Sequence, residues 1–237
     1  MPLAVYTKED TAQKIKQKKR KTRTFFGAIC AVGIIAVVFA AGPFIIWQTR
    51  TLPKLTAKID QAPIPQNSVL SEKTIQSNVE VVQDSDGFSY FTTNLKPQES
   101  RPKEFKLSIP KLEIKDAKVR VDSLTFNENL ALFPGTALPG EVGNAFITGH
   151  SVLPQFADPK NYRAIFTELS ELEIGDDVFV QRENQTFHYV VQYSKVVDPK
   201  DLSVLAPISQ NGQNLTLMTC VPPGSATKRL VVITSLI

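Results

Sequence analysis

Two cysteines and two histidines are all that 237 residues contain, and tryptophan occurs once. No internal repeat is present, and no second long apolar run follows the first. The cysteines sit in incompatible settings. Cys30 lies within the uncharged stretch "FFGAICAVGIIAVVFAAGPFIIW", Phe25 to Trp47, whereas Cys220 ends an apolar run far downstream. A thiol inside a bilayer cannot pair with one outside it, so the chain is not a disulfide scaffold and Cys220 stands alone. Such a cysteine is either a reactive thiol or a small buried hydrophobe, and cysteine count does not choose between them. An excess of basic charge is missing too, outside one place. Residues 1–23 hold eight Lys or Arg against Glu9 and Asp10, while the remainder carries 19 basic and 21 acidic residues. The net charge of +4 therefore belongs to the tail. A nucleic-acid binder needs a basic face on its folded domain, and none is available.

What is present begins with that uncharged stretch. Its 23 residues would span roughly 35 Å as a helix, enough to cross a hydrocarbon core. The Lys/Arg cluster before it marks the cytoplasmic side, and Trp47 falls where an interfacial aromatic belongs. The expectation is a cytoplasmic tail over residues 1–24, a membrane anchor over 25–47, and everything later outside the cell. The competing reading is a cleaved signal peptide, because "VFA" before Ala41 resembles a cleavage site. The apolar run continues past it through "PFIIW", which favours the anchor.

Residues 48–104 are polar and punctuated by Pro53, Pro63, Pro65, Pro97 and Pro102, which break any long regular element. Within them "VEVVQDSDGFSYFTT" suits a short hairpin turning at Asp86-Gly87. This region reads as an extracellular stalk, with a lid as the alternative. From residue 105 onward short apolar or alternating runs follow closely: "FKLSIP", "AKVRVD", "LALFPG", "NAFITGH", "DDVFVQ", "TFHYVVQYSKVV", "LTLMTC" and "RLVVITSLI". Each is bounded by Pro, Gly, Asn or Asp, the punctuation of strands. Residues 105–237 are expected to form a mainly β domain, a closed or nearly closed barrel of seven to eight strands or a sandwich, with one or two short helices. The stretch "NYRAIFTELSEL" supplies one helix by spacing, with Tyr162, Ile165, Phe166, Leu169 and Leu172 on one face.

The chemistry concentrates in "TLMTCVPPGSATKRLVV", Thr216 to Val232. Cys220 ends one strand, a proline- and glycine-rich loop follows, and Arg229 opens the next strand. If the two strands pair, Arg229 lies beside Cys220, and a guanidinium keeps its charge and donors at any working pH. That charge can stabilise a thiolate or the oxyanion formed when a thiolate attacks a carbonyl. An ordinary thiol is only a few per cent ionised at pH 7, so a nucleophile needs a base or a charge partner. So assisted, Cys220 should react with alkylating agents faster than a model thiol. Of the two histidines, His188 lies inside "TFHYVVQY", where Phe187, Tyr189, Val191 and Tyr193 alternate toward one face, so His188 points away and reads as structural. His150, at the end of "NAFITGHS", is the better candidate base. The acidic run "TELSELEIGDD" does not match the spacing of an EF-hand loop and reads as a solvated helix end followed by a turn.

These residues carry a resemblance. "TLMTC" resembles the Thr-Leu-x-Thr-Cys signature of the sortases, "KRLVV" resembles their arginine strand, and "ITGHS" is similar to their histidine segment. The order of His, Cys and Arg and the N-terminal anchor agree. The resemblance implies Cys220 as nucleophile, His150 as acid/base partner and Arg229 as stabiliser of the oxyanion or the substrate. Some members of that family bind calcium, but the spacing of the acidic run leads to the expectation of no metal site, and no cofactor is expected. The resemblance further implies cleavage of a sorting signal of the Leu-Pro-x-Thr-Gly kind through a thioacyl-enzyme. The acceptor would be an amine of a peptidoglycan precursor or a pilin. Residues 48–104 lack the Asp-Pro-aromatic lid motif of pilin-polymerising members, so the subclass stays open. Two other readings remain: another extracellular thiol hydrolase, or a membrane-tethered β-domain without activity. Papain-like order, cysteine before histidine, is the reverse of the order here.

Overall fold

A strand with one apolar face must hide that face, and several such strands in a row do so by curling around it. The computed structural model describes residues 8–51, 79–83, 89–96, 98–209 and 211–237. Of the expected stalk over 48–104, residues 52–78, the Asp86-Gly87 turn and Pro97 lie outside those residues. Among them, α1 runs as one helix over Lys8–Ile46 and continues in wider π-type turns over Trp47–Thr51. The part from Phe25 to Thr51 is long and apolar enough to cross a membrane.

The remaining elements among the described residues are ten strands and four short 3-10 turns. β1 (Val79–Gln83) and β2 (Ser89–Thr93) pair antiparallel as a separate hairpin, with Val81 opposite Phe91. β3 (Glu104–Ile109), β4 (Ile114–Arg120), β5 (Leu130–Leu132), β6 (Gly143–Thr148), β7 (Asp177–Arg182), β8 (Gln185–Val197), β9 (Gln213–Val221) and β10 (Lys228–Leu236) close into a barrel. The order around the barrel is β10-β8-β7-β3-β4-β5-β6-β9. The neighbours β4/β5 and β6/β9 are parallel, and the other pairs are antiparallel. Each of the eight runs expected to be strands is one.

Alternation along the strands divides the apolar residues between two clusters. Leu107, Val119, Ile147, Leu215, Leu217 and Leu230 point inward and belong to the interior core. Their neighbours Phe146, Met218, Val231 and Ile233 point outward and form a second cluster on the outside of β6, β9 and β10. Val79 of the hairpin and Val204 and Leu205 of a short 3-10 turn (Leu202–Leu205) cover that outer cluster. The three central strands are thus apolar on both faces, which explains their nearly continuous hydrophobic runs.

Three local expectations change. "NYRAIFTELSEL" is a chain of tight turns ending in a 3-10 turn at Leu169–Glu171, not an α-helix. Its bonds run from i+3 to i, as in Ala164 N–H to Asn161 O at 2.8 Å and Thr167 N–H to Ala164 O at 3.0 Å. The Phe166 N–H is donated to His150 O at 3.0 Å, where a helix would have used Tyr162 O. The apolar spacing was still informative, since Ile165, Phe166, Leu169 and Leu172 are all buried. Tyr193 does not share a face with Tyr189 and Val191. The β8/β10 register slips between Ile233 and Thr234, and the bulge reverses alternation beyond it, sending Tyr193 to the outer cluster. Trp47, expected at a membrane interface, is 6% exposed and belongs to the interior cluster.

Candidate active site

β9 is the central strand of the site, with β6 on one side and β10 on the other. Cys220 and Arg229 are direct partners in the β9/β10 register. On the other flank, β6 and β9 run parallel in step, with Thr148 opposite Met218. His150 follows two residues past the end of β6, where the chain stays beside β9 through the bonds of Gly149 to Met218 O and of Ser151 to Cys220 O, which brings it level with Cys220. All three residues are on the outer face, in phase with Phe146, Met218 and Val231. They line one cleft of about 570 Å³, whose wall also includes Phe91, Phe133, Ser151 and Met218. The sequence names these three residues, and the fold brings them together.

Short bonds hold the ends of β6 and β9 in register. Gly149 N–H donates to Met218 O at 3.1 Å, and Ser151 Oγ–H donates to Cys220 O at 2.6 Å. The Thr219 hydroxyl, buried at 1% exposure, donates to Gly149 O at 2.9 Å. The other threonine of "TLMTC" works further along: Thr216 Oγ1 donates to Asn144 Oδ1 at 2.8 Å. Asn144 Nδ2 in turn donates to Val204 O at 3.0 Å, tying the covering turn to the sheet. The two threonines are therefore fasteners for the residues around the thiol. Glycine at 149 has a steric cause as well, because a Cβ there would meet Leu130 Cδ2 and Phe166 Cδ2 at 2.6 Å. Replacing Thr219 with valine keeps the shape but strands the buried Gly149 carbonyl. The expected cost is about 1–3 kcal/mol, read as a lower midpoint in denaturant at unchanged slope. An unchanged midpoint would remove this bond from the account.

The imidazole of His150 has its own supports. Its Nε2 is 2.9 Å from Asn127 Oδ1, and its ring packs 4.2 Å from the Phe126 ring, tilted by 42°. An amide oxygen only accepts, so Nε2 carries the proton and Nδ1 keeps a lone pair. Asn127 lies on the β4–β5 loop in "FNENL", a polar loop with no spacing that marks it from sequence. Asn127→Ala is expected to lower kcat/KM by about 10²-fold through misplacement of the ring, with kcat falling more than KM. Asn127→Asp retains an acceptor and should recover most of the loss, with the acid limb of the pH profile moved upward by the added carboxylate. Equal losses in both variants would show that the bond does not orient His150.

Electrostatics reverse one expectation. Burial pushes the Cys220 thiol up, and the nearby positive charge of Arg229 offsets this only partly. Burial also pushes His150 down, helped by the charge of Arg163. With the thiol pushed up and the imidazole pushed down, a neutral thiol beside a neutral imidazole is the expected resting pair near neutral pH, and alkylation of Cys220 is then expected to be slower than that of a model thiol. Arg229 is 5% exposed, and its Nη1 donates to Ala226 O at 2.9 Å and Lys228 O at 3.0 Å. These bonds hold the guanidinium at the cleft wall. The "PPG" loop between Cys220 and Arg229 packs back on the histidine side, since a Cβ at Gly224, which has φ +79°, would meet Leu153 Cγ at 2.9 Å.

Other candidates fall elsewhere. His188 Nε2 bonds Asp177 Oδ1 at 2.7 Å and stacks on Phe179, away from the cleft. Glu173 and Asp176 of the acidic run flank Lys111 Nζ at 3.2 and 2.9 Å.

A closed eight-stranded barrel with a thiol, an imidazole and a guanidinium side by side in an outer cleft defines a class: β-barrel proteins built around a single reactive-type cysteine. Comparison with known proteins narrows it. A family profile described as the Sortase domain matches residues 107–237. More than half of the chain is covered, and the chain belongs to the sortase family, whose members are cysteine transpeptidases. Among solved structures it is similar to sortase C1 of Streptococcus agalactiae, at 27% identity and a TM-score of 0.49, over 56% of this chain and 66% of that one. It is also similar to sortase C2 of Group B Streptococcus pilus island 1, at 26% identity and a TM-score of 0.50, over 61% of this chain and 82% of that one. A Clostridium perfringens sortase D5 transpeptidase matches at 20% identity and a TM-score of 0.48, over 80% of this chain and 97% of that one. The chain thus spans just under two thirds of the S. agalactiae sortase C1 chain. No match was found among curated protein sequences.

Proposed function

We propose that this protein is a membrane-anchored sortase-type transpeptidase, with residues 1–24 in the cytoplasm, the apolar helix from Phe25 in the membrane up to the residues before Trp47, and the barrel outside the cell. Its substrates are proteins bearing a C-terminal sorting signal of the Leu-Pro-x-Thr-Gly kind. Its acceptors are amines of a peptidoglycan precursor or a pilin. The observation that carries this reading is that Cys220 and Arg229 are register partners on adjacent strands and His150, two residues past the end of β6, lines the same cleft.

In the reaction, the Cys220 proton passes to His150 Nδ1 as the sulfur attacks the carbonyl carbon of the signal. A carbon–sulfur bond forms, and the carbonyl oxygen becomes an oxyanion beside the charge of Arg229. The carbon–nitrogen bond then breaks, and the imidazolium gives its proton to the departing amine. The thioacyl-enzyme keeps the energy of the cut amide, so no nucleotide is consumed. An acceptor amine attacks the thioester, His150 takes its proton, and the sulfur leaves to be reprotonated.

Incubating the full chain in detergent with candidate signal peptides and reading its intact mass tests this directly. The expected result is an adduct on Cys220 equal to the N-terminal part of the peptide, lost when an amine acceptor is added. An adduct on no peptide of the Leu-Pro-x-Thr-Gly kind would overturn the substrate assignment.

A further inference from the structure

A second cavity lies behind one wall of the cleft. That wall is the loop joining β4 to β5, residues 121–129, and it has two sides. On one, Phe126 lines the cleft and Asn127 bonds His150. On the other, Asp122 and Thr125 line a cavity of about 630 Å³, and Ser123 and Leu124 border both spaces. Across this cavity stands the segment that leads into β3, from Gln98 to Lys103. The backbone ties the two walls together, since Val121 N–H donates to Lys103 O at 2.9 Å.

Charge inside it is unbalanced. Arg101 Nη1 pairs with Asp122 Oδ1, and the two side chains are almost covered, at 12% and 4% exposure. Arg101 Nη2 also donates to Thr136 O at 2.8 Å, so this pair is neutral and fixed in the wall. Lys103 and Arg120 line the same cavity, both exposed, and among the described residues neither side chain has an ion-pair partner. Arg120 stands opposite Glu104 in the β3/β4 register, but the Glu104 carboxylate reaches Lys118 Nζ at 3.5 Å instead. The remaining carboxylate on the wall is Glu99. Two open cations against one open carboxylate suit the cavity to an anion, and the planar fork of Arg120 matches a carboxylate.

In the reaction proposed above, the signal occupies the cleft and the departing amine takes its proton from His150. The incoming amine gives its proton to the same ring, so it approaches from the imidazole side. Phe126 and Asn127 stand on that side, and the second cavity lies across their loop. Resting on this transpeptidase reading, we propose that Lys103 and Arg120 form an acceptor subsite that binds a carboxylate carried by the incoming amine. The enzyme accordingly selects acidic peptide amines over neutral ones. Exposed pairs contribute little one at a time. A local positive field still raises the rate of encounter with an anion, and it fades with salt. The selectivity therefore belongs to the second-order rate of aminolysis.

The test supplies the full chain in detergent with a cleavable signal peptide and adds diglycine, triglycine or tetraglycine as acceptor. Each is used as the free acid and as the C-terminal amide, so that the series covers the reach from Cys220. The quantity read is the acid-to-amide ratio of aminolysis rates, which cancels any change in acylation or stability common to both acceptors. The parent should favour the acid about three- to fivefold for at least one length, and the preference should disappear near about 1 M salt. Lys103→Gln and Arg120→Gln should each lower the ratio, and the double variant should bring it close to unity. Glu99→Gln should raise it. A parent without preference, or a ratio unchanged in the double variant, overturns the proposal. A parent that forms no acyl-enzyme counts against the transpeptidase reading, and the subsite is then judged by saturation-transfer NMR of the same peptides. An acid signal stronger than the amide signal in the parent, and lost in the double variant, sustains the subsite. Equal signals remove it.

Discussion

Cys220→Ala is expected to abolish turnover of a cleavable signal peptide, by about 10⁴-fold or more, while the barrel melts at close to its parental temperature. The two halves have separate causes. Loss of turnover follows because alanine carries no nucleophile, and the neighbouring hydroxyl of Ser151 is committed to Cys220 O. Retention of the fold follows because Cys220 is half-buried on the outer face, and the bonds that tie β6 to β9 there use the Thr219 hydroxyl and backbone groups of residues 149, 218 and 220. Alanine preserves every one of them. Removing a single sulfur costs little more than about 1 kcal/mol of contact. Intact-mass detection of the acyl adduct reads the first half, and circular dichroism on heating reads the second. Residual cleavage within tenfold of the parent would exclude Cys220 as the nucleophile.

The second large effect belongs to His150, seen most clearly in its dependence on pH. His150→Ala should reduce kcat/KM by about 10²–10⁴-fold, since both the acceptance of the thiol proton and its delivery to the leaving amine are lost. On the proposed mechanism the reacting pair shares one proton and becomes thiolate and imidazolium as the sulfur attacks. The imidazole titrates below its usual 6.5 and the thiol above its usual 9.0, so this ion pair is a minor form at every pH. Its fraction is constant between the two values. It falls below the lowered imidazole value, where the thiol stays protonated beside imidazolium. It falls again above the raised thiol value, where the thiolate faces a neutral imidazole with no proton to give. The kcat/KM profile should be a broad bell, its acid limb below the ordinary histidine range and its alkaline limb above the ordinary thiol range.

Alkylation by iodoacetamide isolates the thiol. It should be slower than for a model thiol at pH 7 and rise through a midpoint displaced upward. Removing the charge in Arg229→Gln should displace that midpoint further upward, because Arg229 is the influence that lowers it. Rapid alkylation at neutral pH, with a flat dependence above it, would mean a resting thiolate and would contradict this account.

How far the sequence reaches can be seen residue by residue. All eight barrel strands are visible as alternating or apolar runs because strand periodicity is local and each run ends at a turn former. The Cys220–Arg229 pairing is visible for a similar reason, since two strands joined by a short loop have few ways to pair. Tyr193 is not, because a bulge set by the β10 partner reverses its face. The turns over 161–171 are not, because the His150 carbonyl takes a bond that a helix would need. Asn127 carries no mark in its own stretch and matters only by where the β4–β5 loop lands.

From its order of residues alone, this protein has an apolar N-terminal helix, a β-barrel and three side chains suited to thiol acyl transfer. Periodicity, charge spacing and short connections are properties of neighbouring residues, and the chain carries them openly. Only the tertiary structure decided which face of the sheet bears the site, how burial drives the thiol and imidazole apart in pKa, and that Phe91 borders the cleft. Those depend on packing between segments tens of residues apart: Phe91 on Phe146, and the end of β6 on the end of β9. Such contacts are selected by closure of the whole barrel, which no single stretch of the chain encodes.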